Sequence, residues 1–187
     1  NPALLARAFA FFAYTPSMSG EDVWYSNGPI HKMLGLATQG EGVATLTGAT
    51  PLANLADHGT LHDAGAAQIS ACDAFLGLIP GSAGETSTLA ILIGAAILLF
   101  TGVASWRIML SVFVGGLAMG YVFDYAGMTD FPVYYHLLVG GFAFGAVFMA
   151  TDPVTSAQTN CGKWIYGLMV GALAVLIRVI NPAYPEG

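Results

Sequence analysis

Charge is what this sequence has least of: only 9% of its 187 residues are Asp, Glu, Lys or Arg, with five basic residues against eleven acidic ones. A surface that binds nucleic acid needs clustered Lys and Arg to neutralise phosphates, and no such cluster is present, so the sequence reads as one with no nucleic-acid partner. Cysteine is scarce as well. Cys72 and Cys161 match neither a zinc pattern nor a CxxC pair, and a single disulfide between them stays open. No Walker motif, dinucleotide fingerprint or Ser-His-Asp pattern is visible. There is also no basic n-region followed by a cleavage site, which argues against a signal peptide.

Apolar residues fill the space that charge leaves. They make up 56% of the chain, and the mean hydropathy is +0.68, values that describe a membrane protein or a part of one. A hydrocarbon core about 30 Å thick needs about 20 apolar residues at helical rise. Four stretches qualify as spans. The first covers residues 86–106 between Glu85 and Arg107, with an uncharged centre at 89–100. The second runs over 108–125 with Asp124 near its end, the third over 133–151 with His136 near its start, and the fourth over 164–180 with Arg178 in its last turn. Residues 1–14 read as the end of a membrane helix whose start lies outside the sequence. The expected fold is therefore an all-α polytopic helix bundle, with four complete spans and a partial N-terminal helix.

Residues 15–85 are of another kind, with seven acidic residues, one basic residue (Lys32) and frequent Gly, Pro, Ser, Thr and Asn. This segment is expected outside the hydrocarbon, with apolar pieces such as 66–79 forming interfacial amphipathic helices. The organisation is thus a helix end (1–14), an extramembrane loop (15–85) and a four-helix membrane region (86–187). Arg107 and Lys163 fall at loops on one side under the positive-inside rule, which puts residues 15–85 on the non-cytoplasmic side; Arg178 disagrees. Glycine pairs at four-residue spacing, Gly116 with Gly120, Gly141 with Gly145 and Gly167 with Gly171, predict close helix packing.

Thr45-Leu46-Thr47-Gly48-Ala49-Thr50-Pro51-Leu52 is the most informative stretch. On residue chemistry alone it is a small-residue turn, or a helix start capped by Thr47 or Thr50 with Pro51 in the first turn. Asp152, in Thr151-Asp152-Pro153, sits where a span ends; an ionisable group there either caps the next segment or handles a cation. His136 reads as an interfacial hydrogen-bonded residue with metal binding or proton relay as the alternative. His58 and His62 have i, i+4 spacing but no third ligand. Arg178 is placed to snorkel or to pair with Glu186.

Thr47-Gly48-Ala49-Thr50 resembles the Ser/Thr-Gly-Ala-Thr site at which membrane redox complexes carry FMN covalently. Further along come Ile79-Pro80-Gly81-Ser82, Ala150-Thr151-Asp152-Pro153-Val154, Gly162-Lys163-Trp164 with Tyr166-Gly167, and Asn181-Pro182-Ala183-Tyr184-Pro185-Glu186-Gly187. In that order, and over essentially the whole chain, these segments resemble the NqrB/RnfD family, with the C-terminal half of the NqrB type, from the sodium-translocating NADH:quinone oxidoreductase, the nearer of the two. The resemblance implies FMN held by a phosphoester on the Thr50 hydroxyl, with Thr47, Gly48 and Ala49 completing the motif and a flavin transferase attaching it. It further implies electron transfer toward ubiquinone coupled to sodium export, with Asp152 on the sodium pathway and NADH oxidised on another subunit. The family's riboflavin and ubiquinone map onto no residue here. The implied setting is a multi-pass component of a multi-subunit complex in the bacterial inner membrane, with the Thr50 loop periplasmic. Trp24, Tyr25, Phe75 and Tyr14 are candidates to stack on the flavin or to anchor at lipid headgroups, and the resemblance adds a flavin or quinone oxygen as a third option for Arg178. Two other readings fit the same residues: an RnfD-type subunit working between ferredoxin and NAD, and a cofactor-free transporter or channel domain. A purely structural assembly subunit is a third.

Overall fold

The computed structural model describes residues 1–15, 23–26, 45–48, 50–51, 70–79, 81, 84, 86–129 and 132–181, with 23–26 and 45–48 described as backbone. Its helices follow the apolar runs. Helix α1 (Pro2–Ala13) starts where the Asn1 side chain accepts from the Ala3 and Leu4 amides, and it buries none of its residues. Strands β1 (Val23–Ser26) and β2 (Thr45–Gly48) pair antiparallel, with Val23 opposite Gly48 and Trp24 opposite Thr47. This ribbon lies within the segment expected outside the hydrocarbon and adds a β element to a fold expected to be all-α. Within 66–79 the described helix is short, α2 (Ala71–Leu76), capped by Ser70 and stopped at Gly77.

The membrane region departs from four complete spans. Helix α3 (Thr88–Phe100) has 13 residues, about 20 Å at helical rise and short of the hydrocarbon thickness. It ends because the Thr101 hydroxyl turns back onto the Ile97 and Leu98 carbonyls and Gly102 follows in the left-handed region at φ +72°. Helix α4 (Trp106–Tyr125, 20 residues) and helix α7 (Asn160–Ile180, 21 residues) are each long and apolar enough to cross a membrane. The stretch 133–151 is interrupted. It forms α5 (Tyr135–Leu138), breaks at an extended Val139 and a left-handed Gly140 (φ +75°), and resumes as α6 (Phe142–Phe144) and a π-helical turn (Gly145–Met149).

Small residues set the packing of α4 on α7. A Cβ at Gly167 would strike Ser111 Oγ, and one at Gly171 would strike the Val112 carbonyl. The two axes therefore approach until backbone meets backbone, as small-residue spacing allows. Ser111 spans the contact, its hydroxyl donating to the Ile108 carbonyl at 3.0 Å and to the Lys163 carbonyl at 3.3 Å. The pairings 111 with 167 and 112 with 171 advance together, so α4 and α7 are parallel. Gly116 and Gly120 serve a different neighbour: a Cβ at Gly116 would meet Phe142, and one at Gly120 would meet Val133. The interrupted stretch thus runs antiparallel to α4. Gly145 has open space around it, so the pair Gly141 with Gly145 does not make a close contact there.

Two apolar clusters fill the bundle. Ile108, Val112, Phe123, Phe142, Ala146 and Val175 join α4, α7 and the interrupted stretch. Ile91, Ala95, Met109, Ala143 and Val147 bring α3 in beside them. Outward-facing positions remain apolar: Ile165, Met169, Leu173 and Ile177, four residues apart along α7, are all at least 40% exposed. A stripe of this kind is unfavourable in water and fits a lipid or protein neighbour. Helix α2 packs on the far end, where Ala74 and Ile79 meet Val139.

Candidate functional site

The flavin-motif residues fall at the end of the ribbon. Thr47 and Gly48 are the last two residues of β2, which places Thr47 in extended backbone and not at a helix cap. Thr50 follows outside the strand, and Pro51 is in helical conformation. The surviving local reading is thus Thr50 before a Pro that opens a helical turn. Thr50 and Pro51 are buried, Thr50 at 7% exposure. Ala49 lies outside the described residues. The hydroxyl of Thr50 is the right chemistry for a phosphoester, and Gly48 offers no side chain to obstruct one. Of the aromatic candidates, Tyr14 is 66% exposed on the end of α1 and Phe75 is half-buried on α2.

Asp152 is at the other end of the bundle, in the turn that follows the π-helical segment. One carboxylate oxygen accepts from the Val154 amide at 3.2 Å and the other from the Thr155 hydroxyl at 2.7 Å. The Thr155 hydroxyl, with the Val154 amide second, holds its carboxyl below the ordinary carboxylate range. The group is therefore an anion at neutral pH, on a turn it caps itself. It borders a cleft of about 520 Å³ that is also walled by Leu98, Val103 and Phe148.

Beside that cleft lies a second, smaller cavity of about 360 Å³, lined by Ser105, Ser156, Gln158 and Lys163 among others. Sequence reasoning treated Lys163 only as an orientation marker and a motif residue. The available signal was a mirrored pair of dipeptides, Trp106-Arg107 opening α4 and Lys163-Trp164 in the first turn of α7. The structure brings them together. The two indole rings meet edge to face at 6.2 Å, Arg107 lies 5.2 Å over the Trp106 ring, and its guanidinium donates to Asn160 at 3.1 Å.

Arg178 does not snorkel to the surface, and its pairing with Glu186 falls outside the described residues. It is 6% exposed and lies inside the bundle, where it donates to the His136 carbonyl at 2.8 Å and the Val139 carbonyl at 3.4 Å. Those acceptors lie just before the helix break and at its first residue. A buried guanidinium in such a role is not a surface charge. His136 is buried at 2% exposure, against Gly120 of α4. Cys72 and Cys161 are both exposed free thiols. His31, His58, His62 and Glu186 lie outside the described residues, and among the described residues no group of three His, Cys, Asp or Glu side chains gathers.

A model of the NQR2, RnfD, RnfE family matches residues 1–187, the full chain. The chain belongs to this family. Within it, the NqrB subunit of the Na(+)-translocating NADH-quinone reductase of Neisseria meningitidis serogroup B is 49% identical over 195 residues, covering 100% of this chain and 44% of that protein. The corresponding NqrB subunits of Yersinia pestis and Chromohalobacter salexigens are 48% and 51% identical, again over 100% of this chain and over 43% and 42% of their own lengths. The chain thus spans less than half the length of these NQR2-family relatives, and the stretches that resembled NqrB in the sequence fall inside a match that covers every residue.

Proposed function

We propose that the chain is the flavin-carrying part of a subunit of a respiratory complex, passing electrons through covalently bound FMN toward ubiquinone and coupling this to sodium export. The observation that carries the reading is the Thr47–Thr50 motif at the end of β2, in a chain about half identical to NqrB subunits of Na(+)-translocating NADH-quinone reductases. FMN, when bound, supplies one- and two-electron carriage. The chain's own contribution is to anchor it: the Thr50 hydroxyl takes the phosphoester, Thr47, Gly48 and Ala49 present that hydroxyl to a flavin transferase, and burial of Thr50 keeps water from the ester. Thr50 takes no part in turnover as an acid, base or nucleophile. NADH oxidation belongs to a partner subunit of the complex, and the riboflavin and quinone contacts belong to sequence beyond this chain.

The setting is the bacterial inner membrane, with the Thr50 loop on the periplasmic side. Support comes from Arg107 and Lys163, which share one end of the bundle, while α2, the last element of the loop region, packs at the opposite end beside Val139. Asp152, anionic at the basic end, is the described residue we assign to the sodium path.

The test is the intact mass of the chain from native membranes that contain the flavin transferase, compared with Thr50→Val. The expected result is an adduct of about 438 Da, FMN less water, that survives denaturation and is absent from the variant. An unmodified wild-type chain from such cells overturns the flavin assignment. For the ion path, Asp152→Asn is expected to raise the sodium concentration needed for half-maximal turnover with flavin content unchanged; an unaltered sodium dependence removes Asp152 from the path.

A further inference from the structure

The two cavities at the basic end share the walls Val103, Ala104, Thr151 and Pro153 and form one continuous depression of two characters. The smaller part is polar. Ser105, Ser156 and Gln158 offer hydrogen bonds, Lys163 offers an ammonium, and no carboxylate lines it. Among the described residues the Lys163 ammonium has neither an ion-pair nor a hydrogen-bond partner. Ser105 precedes α4 yet makes no side-chain capping bond, so the positive end of a 20-residue helix opens toward the same space at Trp106. The larger part is apolar where it borders the bundle, along Leu98, Val103 and Phe148; Asn1 and Pro2, at the start of α1, also line it, and Asp152 is held at its rim by Val154 and Thr155.

A cationic pocket that continues into an apolar trough selects a ligand with a negative head and a hydrocarbon tail. The surroundings fix where that ligand comes from. Trp106, Trp164, Arg107 and Lys163 form the aromatic and basic belt expected at a membrane–water boundary, and basic pockets between membrane helices accept lipid headgroups. We propose that this depression is a binding site for an anionic phospholipid. Its phosphate sits on Lys163 and the first amides of α4, and one acyl chain lies along Leu98, Val103 and Phe148. Asp152 borders only the apolar part and is turned onto its own loop, so no carboxylate opposes the phosphate. Such a lipid fills the gap beside α3, the helix too short to reach across the hydrocarbon by itself.

The site is independent of the redox reading, and the flavin content of each variant reports on that reading separately. The measurement is native mass spectrometry of the assembled membrane complex after exchange into nanodiscs of phosphatidylcholine with or without phosphatidylglycerol. Wild type is expected to retain one phosphatidylglycerol per chain that Lys163→Gln loses and Lys163→Arg keeps. Val103→Trp, which fills the trough from an exposed position and leaves the ammonium in place, is expected to lose it too. Equal retention by wild type and Lys163→Gln overturns the proposal. So does release of the bound species by inorganic phosphate with no effect of Val103→Trp, which would make the pocket a site for a free anion.

Discussion

Arg178 shows how one side chain settles a question of backbone chemistry. Where the helix breaks at Val139 and Gly140, carbonyls of the preceding turn lose their helical donors, and no water is available in a packed interior to replace them. The guanidinium of Arg178 supplies planar N–H groups to two of these oxygens, His136 O and Val139 O. Leaving a buried acceptor unmade costs about 1–3 kcal/mol. Arg178→Met is therefore expected to lower the thermal-denaturation midpoint of the purified complex clearly, and Arg178→Lys, which retains a charge but not the fork, to lie between it and wild type. An unchanged midpoint in the Met variant would show that the break supports itself. The partner of Arg178 was not legible from sequence, because backbone carbonyls 39 and 42 residues away carry no residue-type signature.

At the scale of elements, the close approach of α4 and α7 rests on Gly167 and Gly171 against Ser111 and Val112. Gly171→Ala places a methyl group on the Val112 carbonyl, where neither backbone has room to yield. Overpacking of this kind costs about 1–3 kcal/mol, so the variant is expected to melt earlier than wild type, whereas Gly145→Ala, which points into open space, is expected to change little. Equal effects of the two would contradict the packing described. These contacts were readable from spacing, as were α4 and α7 themselves, because long uncharged runs bounded by Arg107, Lys163 and Asp124 leave few alternatives. The interruption at 139–140 was not. Val139-Gly140-Gly141 is as apolar as its surroundings, and hydropathy registers composition, whereas the break is a matter of φ and ψ. The ribbon had a weak signal in Val23-Trp24-Tyr25, two aromatics beside a β-branched residue, but its partner strand lies 19 positions beyond Ser26 and only the fold pairs them. The proposed flavin motif rests on a resemblance in four residues; the burial of Thr50 was not legible, since it depends on what folds over it.

At the scale of the whole molecule, parallel α4 and α7 impose a condition on everything between them. The end of α4 and the start of α7 lie at opposite ends of the bundle, so residues 132–159 must return across its full depth even though they never form one continuous helix. During synthesis an insertion machinery meets α4 as a competent span and then a stretch whose break has no donors, because Arg178 is still to be made. That stretch has to wait for α7 before it can settle in lipid. A chain ended shortly before Arg178 is accordingly expected to leave residues 133–151 open to alkaline extraction and to a cysteine-directed label placed there, while the longer chain protects them; equal protection of both would place the decision earlier. If only the longer chain protects them, the order of assembly in this bundle is written by a single late arginine, and biogenesis proceeds by pairs of segments, the second certifying the first.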